Sequence, residues 1–203
     1  MRAKKPSPVA RGAVSLYRIN EATGARHLLF QQSNLLLYTW AHVACRCIGL
    51  GQPEYKIGAM YIEYKNVAAP GDLVAVPTFD RSAGLSYYNG LPAGQDFIRA
   101  GLLSAPQLSI APGFEAYFTN GVSGNRLTFS AKTSGTTGVL GRAFSDTAKS
   151  KVFGVALVAT PSVNDRSQDV IFARTYFDGS GAHPQQLKLA GSQLGVDWVV
   201  DFE

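Results

Sequence analysis

Along KIGAMYIEYKN (56–66) the side chains alternate as a strand demands: Ile57, Ala59, Tyr61 and Glu63 fall on one face, Met60, Ile62 and Tyr64 on the other. Upstream, AVSLYRIN (13–20) and RHLLFQQ (26–32) flank EATGA, a polar turn containing Gly24, and this predicts a β-hairpin. DLVAVPTF (72–79) predicts a further short strand. From Leu102 the rhythm is β throughout, in LLSAPQLSI (102–110), FEAYFTN (114–120), RLTFSAKT (126–133), KVFGVALVATP (151–161), QDVIFARTYF (168–177), QQLKLA (185–190) and LGVDWVVDFE (194–203). Turn chemistry such as APG, NGVSGN, SVNDRS and DGSG separates these runs. The expected architecture is a mainly β, antiparallel β sandwich or jelly roll.

One segment breaks the rhythm. SNLLLYTWAHVACRCIGLG predicts a helix near residues 34–49, with Ser33 or Asn34 as cap, Ala and Leu filling it, and Gly49 and Gly51 ending it. It holds both cysteines of the chain and His42. On a helix His42 and Cys45 share a face, while Cys47 points about 200° away from Cys45. Structural zinc needs four ligands and catalytic zinc usually takes three from the protein, so two are too few. His27 and His183 stand alone. A disulfide between Cys45 and Cys47 is excluded by diverging Cβ vectors on one helix. The segment is expected to be a buried core helix, its cysteines packing as small hydrophobes; neither metal nor cofactor is expected.

Composition sharpens the picture in two ways. With 46% hydrophobic and 16% charged residues in 203, the chain can fill a core and needs no disorder. The charge is uneven. Arg2, Lys4, Lys5 and Arg11 fall within the first eleven residues without an acid among them, leaving 15 basic against 14 acidic groups for the rest. The expected organisation is a basic arm over residues 1–11 and a single near-neutral domain over 12–203. A nucleic-acid grip would need a basic stripe on the folded body as well, so nucleic acid is not the expected partner. No run approaches 18 apolar residues, and Pro6, Ser7 and Pro8 follow the basic start where a leader would turn apolar, so neither membrane span nor signal peptide is expected. Two cysteines without such a signal suit a reducing compartment.

Candidate chemistry is sparse. TSGTTGVLGR (133–142) is Gly-rich but lacks the Gly-Lys-Ser/Thr ending of a phosphate loop and reads as a surface loop. Asp165 and Asp169 are the carboxylate pair a glycosidase reading would use, yet turn acids of this kind usually bond their own backbone. No enzyme is expected, and no catalytic residue. GLSYYNGLPAG (84–94) is the best binding loop: Tyr87 and Tyr88 could stack on a sugar or press into a partner protein, or fold back on the sandwich.

Two blocks carry a resemblance. SNLLLYTWAHVACRCIGLGQPEYKIGAMYIEYKN resembles a segment of tailed-bacteriophage virion proteins in which an NLL helix leads through PEYK to a strand of the MYIEY kind. FGVALVATPSVNDRSQDVIFARTYF followed by QLKLAGSQLGVDWVVDF is similar in the same proteins. The blocks cover between a third and a half of the chain. The resemblance implies a structural component of a phage particle, of the short-tailed kind, located in the virion. Its partners would be copies of itself and neighbouring tail or fibre proteins. A head-surface decoration protein and a module binding host surface glycan are the alternatives.

Overall fold

The computed structural model describes residues 10–36, 39–67, 69, 71–76, 109–110, 119–133, 150–159, 170–187 and 192–202. Ten strands are seen among them: β1 (Ala10–Asn20), β2 (Arg26–Leu36), β3 (Ile57–Asn66), β4 (Ser109–Ile110), β5 (Thr119–Ser123), β6 (Arg126–Lys132), β7 (Ser150–Ala159), β8 (Val170–Tyr176), β9 (Gln186–Leu187) and β10 (Ser192–Phe202). All pair antiparallel. The first sheet runs β2-β1-β10-β6-β5 and the second β4-β3-β7-β8, with β9 continuing beside β7. The end of β2 passes between them, Leu35 and Leu36 pairing with Arg174 and Ala173 of β8. The result is the expected antiparallel sandwich, with β2 as its corner.

Alternation builds the core. Leu194, Val196, Trp198 and Val200 of β10 and Val14 and Leu16 of β1 point inward. They meet Met60, Ile62, Val155, Leu157 and Phe172 from the second sheet in one apolar cluster. The second sheet is buried on its other face too, where Ala59, Tyr61, Phe153, Val158 and Ile171 form a second cluster with Val74. This is why KVFGVALVA and VIFA read as nearly continuous apolar runs rather than alternating ones.

The first hairpin is closed by its own side chains. Asn20 Oδ1 accepts from the backbone N–H of Ala22 and Thr23, both at 3.0 Å, and Gly24 takes φ +70°. A Cβ at Gly24 would touch nothing, so only the backbone conformation is at stake. Gly24→Ala is therefore expected to cost about 1–2 kcal/mol in urea unfolding.

Four expectations need correction. The helix starts later than the sequence suggests: α1 spans Thr39–Ala44 and runs on as a π-helical turn over Cys45–Gly49. Ser33 and Asn34 are not caps but β2 residues, paired with Ala13 and Gly12. Nor is the segment a fully buried core helix, for Val43 is buried but Cys45 is exposed and Cys47 only half-buried, neither in a disulfide. Asp72–Val76 is no strand; instead the Gln185 carboxamide brackets Val74, accepting from its N–H at 2.9 Å and donating to its carbonyl at 2.7 Å. The parts of the helix and strand expectations on 37–38, 77–79, 102–108, 114–118, 160–161, 168–169, 188–190 and 203 lie outside the described residues.

Candidate functional site

The outward face of the first sheet carries its polar chemistry in register. β1 and β10 pair along their full lengths, placing Ser15 beside Asp197, Tyr17 beside Gly195 and Ile19 beside Gln193. β6 continues these rows, with Ser130 beside Asp197 and Lys132 beside Gly195. Gly195 therefore leaves a gap in the side-chain layer between Tyr17 and Lys132. The side chain of Ile19 leans into that gap, since a Cβ on Gly195 would lie 2.7 Å from its terminal carbon.

Around the gap the sheet forms an open trough of about 450 Å3. Arg26, from the start of β2, crosses β1 over the Tyr17 ring, its guanidinium carbon 4.0 Å from the ring centre, and reaches Asp197. Its Nη2 lies 2.6 Å from Asp197 Oδ2. Ser130 Oγ donates to Asp197 Oδ1 at 2.8 Å, so the carboxylate is held from both sides. Lys132, Gln193, Glu21 and Thr119 complete the lining. At the far end of the same face Arg126 grips Asp201 through Nε and Nη2 at 2.7 and 3.3 Å, and that contact lifts the arginine above its ordinary pKa.

A second polar cluster is buried in the other sheet. Glu63 of β3 and Arg174 of β8 stand on either side of β7, where Gly154 and Ala156 leave room for their side chains to meet. Arg174 Nε lies 3.0 Å from Glu63 Oε1, off the line of a good hydrogen bond, so the contact is an ion pair. A Cβ on Gly154 would come within 3.0 Å of Glu63 Oε2 and 2.9 Å of the Tyr176 ring. Burial pushes the Glu63 carboxyl above its ordinary range, with the charge of Arg174 pulling it partly back. Burial and the Glu63 carboxylate likewise raise the Tyr176 phenol.

A third feature is apolar. The π-helical turn after α1 presents Ile48 at 86% and Leu50 at 68% exposure. This turn is well braced: Leu50 N–H donates to the Cys45 carbonyl at 3.1 Å, and Gln52 N–H to that of Arg46 at 3.0 Å. The Arg46 guanidinium donates to Gln52 Oε1 and stands over Tyr55.

Of the sequence-predicted binding residues, Arg11 is described, and it belongs to β1 rather than to an arm, because the ladder with β10 extends to Ala10 opposite Phe202 and sets Arg11 against Asp201. Arg2, Lys4, Lys5, Tyr87, Tyr88, Asp165 and Asp169 lie outside the described residues. The Gly-rich stretch 133–142 is described only at Thr133, which is buried and exchanges hydrogen bonds with Leu194 of β10. Among the described residues no three His, Cys, Asp or Glu side chains gather as a metal site, and no helix is long and apolar enough to cross a membrane.

The fold defines a β-sandwich domain with a charge-balanced trough on one sheet and a braced apolar turn at the corner between the two. No family model, curated protein or solved structure matches the chain.

Proposed function

We propose that this chain is a non-enzymatic structural subunit of a tailed-phage virion, assembling with copies of itself and with neighbouring tail or fibre proteins. The observation that carries the reading is the exposed pair Ile48 and Leu50 on the braced turn. Burying each such side chain contributes roughly 1.5–3 kcal/mol, and a turn already ordered loses little entropy on docking. The resemblance of the two sequence blocks to virion proteins supplies the kind of particle. The basic residues Arg2, Lys4 and Lys5 suit an acidic neighbour in such an assembly. A decoration subunit on the head surface would use the same apolar turn.

The test is the double variant Ile48→Ser with Leu50→Ser. Both side chains already face water, so the melting temperature is expected to stay within about 2 °C of the parent. Incorporation into particles, read from the subunit's yield in purified virions, is expected to fall at least tenfold, about 1.4 kcal/mol or more. Incorporation at the parental level would remove the basis of the reading.

A further inference from the structure

We infer that the trough on the first sheet is a binding site for a neutral saccharide. Its charges decide the class of ligand. Arg26 and Lys132 are balanced by Asp197 and Glu21, so an anion meets two carboxylates and a cation meets two basic groups. An uncharged ligand escapes both penalties. What the lining does offer is a dense set of hydrogen-bonding groups of both senses. Lys132 and the Gln193 carboxamide donate, while the Gln193 oxygen and Glu21 accept, and the Thr119 hydroxyl does either. Among the described residues the side chains of Lys132, Gln193 and Glu21 make no hydrogen bond or ion pair, which leaves them to pair with ligand hydroxyls. Vicinal hydroxyls of a sugar match such mixed pairs.

The remaining features suit the same ligand. Gly195 lowers the floor, and Ile19 gives it the apolar surface that the C–H face of a sugar ring requires. Asp197 is fixed by Arg26 on one oxygen and Ser130 on the other, which pre-orients that wall before any ligand arrives. About 450 Å3 lies in the lower part of the range for small-molecule sites and suits a mono- or disaccharide unit. The site lies on the first sheet and its β1–β2 turn and does not depend on the exposed turn at Ile48 and Leu50, so the assembly reading can fail without it.

The experiment uses the whole chain in saturation-transfer NMR with glucose, galactose, mannose, N-acetylglucosamine, maltose and lactose, and with glucuronic acid and glucosamine as charged controls. At least one neutral sugar is expected to bind, with a dissociation constant in the millimolar range or tighter, and to bind better than its charged counterpart. Lys132→Ala with Gln193→Ala, both at the surface, is expected to weaken that binding at least tenfold at an unchanged melting temperature. Gly195→Ala, which pushes the end of Ile19 into the trough, is expected to weaken it as well. Binding of no neutral sugar, preference for a charged one, or undiminished affinity in these variants would overturn the assignment.

Discussion

Replacing Glu63 with alanine is expected to destabilise the domain by about 3–5 kcal/mol, because it strands the guanidinium of Arg174 in the interior without its counter-charge. For a chain of this size such a loss lowers the melting temperature by about 6–20 °C in calorimetry. The ion pair itself is not the source of a comparable gain. Both side chains had to leave water, and their attraction returns only part of that cost. Replacing the two together, Glu63→Met with Arg174→Met, is accordingly expected to recover most of the alanine loss. A double variant as unstable as Glu63→Ala would show that the pair contributes stability outright. The pH dependence has a definite sign. The folded carboxyl keeps its proton to higher pH than the unfolded one, so its contribution is full below the ordinary glutamate range and is lost as pH rises through the folded value. Melts between about pH 4 and 8 are expected to show that loss in the parent and a flatter profile in Glu63→Gln.

A loss of similar size is expected at Trp198. Its side chain is wholly buried at the middle of β10, opposite Val14 of β1 and Phe129 of β6. Trp198→Ala removes the largest fully buried side chain among the described residues and leaves a cavity that three rigid strands cannot close. About 3–5 kcal/mol is expected in denaturant unfolding, with the exposed variant Val122→Ala near zero as a control. The indole N–H has no hydrogen-bond partner, so Trp198→Phe sacrifices area but no polar contact and is expected to cost less than half as much. Equal losses for the two would mean that the ring edge, not its bulk, secures this layer.

Strand existence was legible where apolar and polar positions alternate, as in β1 and β10, and where an apolar run is bounded by turn residues, as in β7 and β8. Boundaries failed where two patterns overlap. Ser33–Asn34–Leu35–Leu36 satisfies both a capped helix start and a strand end, and only pairing with β1 and β8, remote in sequence, selects the strand. Asn120, Gly121 and Val122 read as turn chemistry, yet they form β5 because β6 offers them a ladder, and the turn shrinks to Gly124 and Asn125, with Gly124 at φ +61°. Asp72–Val76 misled in the other direction, since a glutamine side chain can stand in for a neighbouring strand. Half of the buried pair was visible: Glu63 is an acid on an otherwise apolar face. Its partner was not, because no local spacing connects Glu63 with Arg174. The trough was hidden for the same reason. Gln193 and Asp197 show as polar positions on β10, but the gap at Gly195 becomes a site only when Tyr17 and Lys132 flank it.

The pairing of β1 with β10 has a consequence for synthesis. As the chain leaves the ribosome, β1 can at first fold only against β2, and the hairpin leaves Val14 and Leu16 without the strand that covers them on the other side. The first sheet cannot close until residues 192–202 emerge and slide between β1 and β6. Everything between β2 and β10 must be made before that happens, so the decisive contacts are long-range and slow to form. During this interval two unpaired edges, on β1 and β6, stand side by side and invite pairing with the same edges of another nascent copy. The vulnerable interval for this protein therefore runs from the completion of β6 to the emergence of β10, and many copies crowded on one message raise the risk.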